Sequence, residues 1–258
     1  MLAIIGGSGL YELDGLRIER RERVYTPWGE PSDEVTVGVL SGEPVVFLPR
    51  HARGHSIAPH RINYRANIDS LRRVGASRII AVAAVGGIDS ACQPGNLVVP
   101  DQLIDYTSGR AATFFEAPGD PVVHIDFTQP YDARLRAELI AAAGASGLAA
   151  RGSGVYGCTN GPRLETAAEI RRLARDGCTV VGMTGMPEAA LAREWGMAYA
   201  CLAVVVNPAA GLATDGAVIS MESIAQILSR TQRDVQRLIA QLCSAARSSA
   251  SNSSSERA

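Results

Sequence analysis

The stretch NYRANIDSLRRVGASRIIAVAAVGGI, residues 63–88, decides the fold class of this chain. Its first part, 63–74, places apolar residues three and four positions apart, which is typical of a helix with one buried face. The run RIIAVAAV at 78–85 is almost continuously apolar, as in a strand that is buried on both faces. A helix that leads into such a strand predicts an α/β fold with a largely parallel sheet.

The same alternation continues on both sides of this stretch. Further strand-like runs lie at 2–5, 35–40, 44–49, 96–100, 179–183 and 199–206, and further helical patterns lie at 132–147, 164–175, 187–195 and 220–246. We find neither a repeat nor a linker that would divide residues 1–246. The sequence therefore predicts one domain over 1–246, with helices around a central mixed, largely parallel sheet, and a disordered Ser-rich tail over 247–258.

The charged residues exclude several classes of function. The chain has 258 residues and a formal charge of −1, so no basic field exists to attract nucleic acid or a membrane surface. All of its basic residues are arginines. An internal aldimine with pyridoxal phosphate, a Schiff-base aldolase and a Walker-type phosphate loop all need a lysine, so each is excluded.

The cysteines and the N-terminus indicate the compartment. The five cysteines are odd in number and scattered, without CxxC pairs, which favours reduced, buried thiols. The start MLAIIGGSGL lacks the basic segment and apolar core of a signal peptide. We therefore expect a cytoplasmic protein.

Two glycine pairs follow predicted strands. GGSGL at 6–10 follows the first strand, and AAVGGI at 83–88 ends the strand quoted above. Each could be a tight turn required only by packing, or a loop whose backbone N–H groups approach an anion. Counting from Gly7 places Glu12 at the third glycine position of a dinucleotide fingerprint, which disfavours a Rossmann site. As anion loops, both pairs would lie at the carboxyl edge of the sheet, where α/β proteins usually bind ligands.

The segment PRHARGHSIAPHR at 49–61 concentrates histidines and arginines directly after a strand. Three interpretations are open: an oxyanion site, a solvated charged surface, or a metal site that uses His51, His55 and His60. The crowded arginines repel a metal and favour an anion, and no HExxH pattern occurs. We therefore prefer the oxyanion interpretation.

Three more segments place polar residues at strand ends or helix starts. In NGPRLETAAE at 160–169, Glu165 lies near the start of a helix, where it could simply favour the positive helix end. In VGMTGMPEAALARE at 181–194, Met183 and Thr184 lie in a turn, and Glu188 follows at another helix start. In VVVNPAAG at 204–211, Asn207 ends an apolar strand, so its amide either points into the edge crevice or caps a turn.

In their order along residues 2–242, these segments resemble the trimeric purine nucleoside phosphorylase and methylthioadenosine phosphorylase family. The shared segments are GGSGL, RHxRxH with NYRANI, GGI before a PG turn, DQLIDYT, GPRLET and MTGMPEAALARE. The resemblance implies a nucleoside phosphorylase fold and a homotrimeric pentosyltransferase of purine salvage. In its reaction inorganic phosphate, the co-substrate, displaces a purine from C1′ with inversion, and no metal or organic cofactor is needed.

Carried over from the family, one group of positions binds phosphate and Met183 lies against the ribose. The phosphate positions are Ser8, Arg50, His51, Ala83, Ala84 and Thr184. Family members usually have Thr or Asn where this chain has Ala83. We therefore expect that one side-chain contact is missing and that only the backbone can serve there.

The resemblance also implies how the base is chosen. Family members that act on 6-oxopurines carry the pair Glu165 and Asn207, followed here by Pro208 and Ala209, whereas methylthioadenosine phosphorylases have Ser and Asp. Glutamate accepts from N1–H of hypoxanthine, while the Asn207 amide meets O6 and a protonated N7. Adenine would face Glu165 lone pair to lone pair, and such a mismatch discriminates by roughly 10⁴-fold. Glu165 and Asn207 are thus the expected catalytic and base-binding pair.

The 5′ end of the substrate is expected to meet Met221 and Ile224, which take the place of a histidine found in ordinary nucleoside phosphorylases. The alternative is that both belong to the core of an amphipathic helix. His124 resembles a residue that the neighbouring subunit donates. The implied reaction is phosphorolysis of S-methyl-5′-thioinosine to hypoxanthine and 5-methylthioribose 1-phosphate.

Other activities remain open beside this one. Within the family, the substrates could be 6-oxopurine nucleosides in general, or methylthioadenosine. In another class, the alanine at position 83 leaves room for a nucleoside-binding protein without catalysis. A nucleoside hydrolase is disfavoured, because Arg50 and His51 would have no purpose without an anion.

Overall fold

A computed structural model describes the backbone of residues 1–213 and 218–255, and side chains as far as residue 246. Its strands are β1 (Leu2–Gly6), β2 (Arg17–Glu22), β3 (Val35–Leu40), β4 (Glu43–Pro49), β5 (Arg78–Gly87), β6 (Leu97–Val98), β7 (Gln102–Asp105), β8 (Ala150–Arg151), β9 (Val155–Cys158), β10 (Val180–Gly182) and β11 (Ala198–Pro208). Its helices are a short 3₁₀ turn (Pro59–Arg61), α1 (Tyr64–Arg73), α2 (Ala133–Ala145), α3 (Ala167–Arg175), α4 (Glu188–Glu194) and α5 (Met221–Ser255).

All of these strands join one mixed sheet. Its main path runs β2-β3-β4-β1-β5-β10-β9-β7, and β11 pairs with both β5 and β6, which in turn pairs with β8. The central pairs, β1 with β4 and with β5 and β11 with β5, are parallel, whereas β2-β3-β4, β5-β10 and β6-β11 are antiparallel. The predicted α/β fold with a mixed, largely parallel sheet is confirmed.

Two apolar layers cover the two faces of this sheet. Alternate residues of β5 point to opposite sides: Ile79 packs in one layer and Ile80 in the other, because side chains alternate along a strand. Helices α1 and α4 complete the first layer, and α2 and α5 the second. The five cysteines are all buried free thiols; four lie within these layers, and Cys178 lies in a smaller cluster with Ile170 and Leu173 of α3.

Local capping explains where the helices begin. Asn63 accepts a hydrogen bond from the Ala66 N–H at the start of α1. Thr166 and Glu169 form a reciprocal capping box that starts α3. Since Thr166 is the cap, Glu165 stands just outside the helix and is free to point elsewhere.

The sheet has a step beside the site, where β1 ends while β5 and β11 continue. Strand β1 pairs with β5 as far as Ile5 and Ala81, but β5 and β11 continue side by side to Gly87 and Pro208. The paired glycines therefore continue β5 instead of forming the predicted turn. Gly87 must be a glycine, because a Cβ there would lie 2.0 Å from the Cys92 carbonyl oxygen.

The long pair β5-β11 contains one irregularity. Val205 pairs with Val85, and the next paired residue, Asn207, lies opposite Gly86, so the register shifts by one residue between them. This β-bulge bends the strand where it reaches the step.

Four strands were not predicted, namely β2, β7, β8 and β9. All six residues of β2 are exposed, so its sequence RIERRE has no apolar alternation to detect. The others have four residues or fewer.

A disordered tail was predicted over 247–258, and this stays a prediction. The backbone of α5 is described as far as Ser255, and residues 256–258 lie outside the described part. Small residues can prolong an existing helix, since propagation costs far less than nucleation. Within the described residues, we find no helix that combines the length and the apolar character needed to cross a membrane.

Candidate active site

A cavity of about 800 Å³ lies on the step in the sheet. The loops after β1, β4, β9 and β10, the last residues of β5 and β11, and the start of α5 form its walls. Strand β10 runs antiparallel to β5, which brings the turn after β10 back beside the middle of β5. Residues that follow the parallel strands β1 and β4 and residues that follow the antiparallel strand β10 therefore line one cavity. The sequence predicted only that the site lies at the carboxyl edge of a parallel sheet.

Arg50 and Glu188 form a buried ion pair at the floor of this cavity. Their side chains are 1% and 0% exposed. Nε and Nη2 of Arg50 donate to the two carboxylate oxygens at 2.7 and 2.8 Å, and Nη1 donates to the Val82 carbonyl at 2.8 Å. The Tyr199 hydroxyl donates to Glu188 Oε1 at 2.8 Å. Burial alone would lower the pKa of Arg50, but Glu188 raises it above its ordinary value, so the guanidinium stays charged.

The glycine loop after β1 makes room for this arginine. A Cβ at Gly7 would lie 3.2 Å from Arg50 Nη1 and 2.4 Å from the Val82 carbonyl oxygen. Ser8 follows and lines the cavity. GGSGL therefore brings backbone close to the guanidinium and places Ser8 in the same cavity.

His51 is buried and neutral beside Arg50. Its Nδ1 lies 2.8 Å from the Ile57 carbonyl oxygen, which can only accept, so Nδ1 carries the proton and Nε2 is left as an acceptor. Burial, and then the charge of Arg50, lower the pKa of His51 to about 4. The ring stacks on His55 at 4.4 Å, and Tyr11 Oη lies 3.1 Å from His55 Nδ1.

Other charged residues of the segment 49–61 are exposed, unlike Arg50 and His51. Arg53, His60 and Arg61 are exposed, as a solvated surface would be. Within the described residues, no group of three or more His, Cys, Asp or Glu is arranged to hold a metal. Arg50 and His51, the two predicted phosphate residues of this segment, are buried and line the cavity, which is also lined by His55, Ser56, Ala58 and Pro59.

The other predicted phosphate residues line the same cavity. They are Ser8, Ala83, Ala84 and Thr184, and Met183 lies with them. Thr184 is buried, and its N–H lies 3.4 Å from the Tyr156 hydroxyl. Met183 depends on Gly161, where a Cβ would lie 2.3 Å from the methionine sulfur.

Glu165 and Asn207 line another part of the cavity. The Thr159 hydroxyl donates to Glu165 Oε1 at 2.6 Å, and Asn207 Nδ2 donates to the Pro208 carbonyl at 2.7 Å. Ala209 also lines the cavity, whereas Pro208 acts only through that carbonyl. The expected pair is therefore brought together, each member oriented by a neighbour.

The first turns of α5 form the remaining wall. Met221 and Ile224 line the cavity together with Ala225 and Leu228. Met221 is 70% exposed, which contradicts the alternative that it belongs to the helix core. Ile224 is partly buried against the layer that α5 shares with α2. His124 is exposed and does not line the cavity of its own chain, so its donation by a neighbouring subunit stays a prediction.

Sequence reasoning missed several residues that orient the site. Glu188 was interpreted only as a helix start, and neither Tyr199 nor Thr159 was singled out. Each acts through a partner that the sequence does not place beside it, such as Arg50 for Glu188. For Glu188 one signal was available in the sequence. It begins a helix rich in apolar residues, which indicates that the helix and its first carboxylate are buried.

Comparisons with known proteins agree with this arrangement. A family model described as the phosphorylase superfamily matches residues 1–244. The chain is 54% identical over 243 residues to "Probable S-methyl-5'-thioinosine phosphorylase" of Pseudomonas syringae pv. tomato, which covers 94% of this chain and 98% of that protein. It is 46% identical to "6-oxopurine nucleoside phosphorylase" of Pyrococcus furiosus, over 92% and 90% of the two chains. The solved methylthioadenosine phosphorylase from Schistosoma mansoni in complex with adenine has a TM-score of 0.91 at 29% identity, over 96% and 91%.

Proposed function

Because this chain belongs to the phosphorylase superfamily, we propose that it catalyses the phosphorolysis of S-methyl-5′-thioinosine. The products are hypoxanthine and 5-methylthioribose 1-phosphate. The relatives named for this activity, at 50–54% identity over most of the chain, support the assignment. The observation that carries it is the presence in one cavity of the Arg50 and His51 pair and the Glu165 and Asn207 pair.

The phosphate end of the cavity supports the nucleophilic half of the reaction. Arg50 supplies a permanent positive charge, and Ser8 and Thr184 supply hydroxyl and backbone donors around it. His51 presents a bare Nε2, which accepts a hydrogen bond from the P–OH group of HPO₄²⁻ and so orients the phosphate. Positioned in this way, a phosphate oxygen attacks C1′ from the face opposite the purine.

The base end supports departure of the purine. As the C1′–N9 bond lengthens, negative charge moves into the base; a hydrogen bond donated to O6 stabilises this charge, and a proton taken up from solvent at N7 neutralises it. The Asn207 amide meets O6 and protonated N7, and the Glu165 carboxylate accepts from N1–H. Because Thr159 already donates to one oxygen of Glu165, the carboxylate is held in place before the base arrives.

The wall at α5 supports a 5′-methylthio substrate. Met221, Ile224 and Leu228 offer apolar and sulfur-containing surface, which suits a thioether better than a hydroxyl. Because Met221 is 70% exposed, it is available to contact a substrate.

The wider assignments belong to this proposal. The enzyme works as a cytoplasmic homotrimer in purine salvage, and His124 of each subunit completes the 5′ pocket of the next. Phosphate is the co-substrate, with no metal or organic cofactor. Nucleic acid and membranes are not partners, as the balanced charge supports.

Two related activities have specific support. The Pyrococcus furiosus relative is named for 6-oxopurine nucleosides, which the Glu165 and Asn207 pair would also accept. The structural neighbours are methylthioadenosine phosphorylases, which share the fold. A nucleoside-binding protein without catalysis would keep the cavity but not release the base.

One experiment separates these activities. Phosphate-dependent base release is measured side by side for methylthioinosine, methylthioadenosine, inosine and adenosine. We expect methylthioinosine to react with the highest kcat/KM. Equal use of inosine would support the general 6-oxopurine activity, and preference for methylthioadenosine would overturn the base assignment. Release without phosphate would indicate a hydrolase, and binding without release a binding protein.

A further inference from the structure

Arg110 does not line the cavity, yet it holds the backbone of two loops that do. Its Nη1 donates to the carbonyl oxygen of Met186, in the turn that carries Thr184. Its Nη2 donates to the carbonyl of Asn160 at 3.0 Å and to that of Thr159 at 3.4 Å. One guanidinium thus joins the turn of the phosphate end to the loop of the base end.

A third loop is joined through a tyrosine. Arg110 Nη1 lies 3.3 Å from the Tyr64 hydroxyl, and the guanidinium carbon lies 5.3 Å from the centre of the Tyr64 ring. That hydroxyl donates to the Pro59 carbonyl at 3.0 Å. Pro59 lines the cavity at the end of the segment that begins with Arg50 and His51. Burial raises the pKa of Tyr64 above its ordinary value, so the hydroxyl keeps the proton that it donates.

Within the described part of the chain, the charge of Arg110 is met without a carboxylate. Across the described residues, no acidic side chain lies within ion-pair distance of Arg110, whereas Arg50 has Glu188. Carbonyl dipoles and an aromatic face take the place of a carboxylate. A planar fork with several donors can reach separate carbonyls at once, and a lysine ammonium cannot reproduce that geometry.

The link to Glu165 is short. Thr159 accepts from Arg110 through its carbonyl and donates through its hydroxyl to Glu165 Oε1 at 2.6 Å. Asn160, the other acceptor in this loop, also exchanges hydrogen bonds with Ser108, two residues before Arg110. A displacement of this loop therefore passes directly to the carboxylate that meets the base.

We infer that Arg110 is a positioning residue, which holds the base-recognising Glu165 at the correct distance from the phosphate-binding turn at Thr184. This inference rests on the proposed function. The reaction needs a purine and a phosphate aligned on opposite faces of one ribose, and a misplacement of about 1 Å can cost about a hundredfold in rate. Arg110 supplies this alignment from behind the site without contacting the substrate.

A matched control exists in the chain. Arg136 also donates to three backbone carbonyls, those of Pro100, Val99 and Gly152, and is partly buried like Arg110. None of those residues lines the cavity. Arg136→Met therefore removes an equivalent set of hydrogen bonds away from the site.

The experiment compares Arg110→Met with Arg136→Met. For Arg110→Met we expect kcat to fall by about tenfold or more, and the preference for methylthioinosine over methylthioadenosine to fall by about tenfold. Arg136→Met and Arg110→Met should lower the melting temperature by similar amounts. The kcat of Arg136→Met and its preference for methylthioinosine should stay within about twofold of wild type. If Arg110→Met keeps both quantities within that range, the inference is wrong.

Two further measurements secure the result. Arg110→Lys keeps the charge but not the fork, so it should fold and lose preference nearly as much as Arg110→Met; full recovery by lysine would overturn the positioning role.

Phosphate binding by calorimetry needs no turnover and should weaken in both Arg110 variants but not in Arg136→Met. Equal phosphate affinity in all variants would contradict the inference. Failure of wild type to cleave methylthioinosine would count against the proposed function alone.

Discussion

Arg50 and Glu188 lie 138 residues apart in sequence, yet they meet as a two-pronged ion pair that is almost completely shielded from solvent. Such a pair adds little stability by itself, because both charges lose their hydration, but removing one partner leaves the other charge uncompensated. The charge at the phosphate end is thus already balanced before phosphate arrives. An incoming phosphate meets a guanidinium held rigidly in place.

Glu188→Gln should make the fold depend on phosphate. Loss of the carboxylate leaves the Arg50 charge buried and should reduce the free energy of unfolding by about 3–5 kcal/mol. Phosphate then becomes the counterion, so it should raise the melting temperature of the variant by more than that of wild type. Thermal unfolding with and without phosphate measures both effects. Tyr199→Phe is the control, since it keeps the pair and loses one hydrogen bond worth about 1 kcal/mol.

Arg50→Met should weaken phosphate binding specifically. Hydrogen bonds to a charged group contribute about 1.5–3 kcal/mol, so the phosphate KM should rise by about tenfold to a hundredfold. The KM for the nucleoside should change much less. Arg53→Met, in the same segment but with a side chain that is 54% exposed, should leave the phosphate KM unaltered. Equal effects of the two substitutions in steady-state kinetics would move the anion site elsewhere.

His51 should make the protein less stable in acid. Its folded pKa of about 4 lies below the ordinary value of 6.5, so between these values the unfolded chain binds more protons than the folded chain. The free energy of unfolding therefore rises with pH from about 4 to about 6.5, by an amount on the order of 3 kcal/mol from this group, and is constant above. Urea unfolding of wild type and His51→Gln across this range should show a smaller slope in the variant, where only His55, whose pKa burial also lowers, still contributes in this direction.

Glu165→Ser combined with Asn207→Asp should transfer preference to the 6-aminopurine. The serine no longer opposes N1 of adenine, and the aspartate accepts from the amino group. Because a polar mismatch discriminates by up to about 10⁴-fold, we expect the ratio of kcat/KM for methylthioinosine to that for methylthioadenosine to fall by at least about a hundredfold. Thr159→Val should reduce the same ratio more modestly, through its hydrogen bond to Glu165. An unchanged ratio in the double variant would refute the assigned roles.

Met221→His should improve the use of inosine relative to methylthioinosine. An imidazole can hydrogen-bond a 5′-hydroxyl, whereas a methionine favours the thioether. The change in relative kcat/KM should be about tenfold, and stability should hardly change because the side chain is 70% exposed. Arg230→His, at an exposed position farther along α5 and outside the cavity lining, is a control that should leave the ratio as it was.

The sequence predicted the central elements well because their physical signals are local. Helix α1 has a clear apolar period, strand β5 is an almost continuous apolar run, and the glycines at 6–7 mark the loop that approaches Arg50. The family resemblance then predicted the residues that line the cavity. What it could not predict are partners across the fold: the two-pronged contact of Glu188 and the three carbonyls of Arg110 depend on tertiary packing. Edge strand β2 was missed because both of its faces are exposed.

The β-bulge between Val205 and Asn207 bears on how this enzyme could change its substrate over evolution. Opposite Asn207 stands Gly86, and the two residues pair through their backbones, so the pairing does not depend on which side chain stands at position 207. Exchange of one residue type for another there can alter base choice while the strand pairing stays intact. An insertion or deletion in the same place would turn the side chain to the other face of the sheet. We therefore expect relatives to differ at this position by substitution and not by an insertion or deletion.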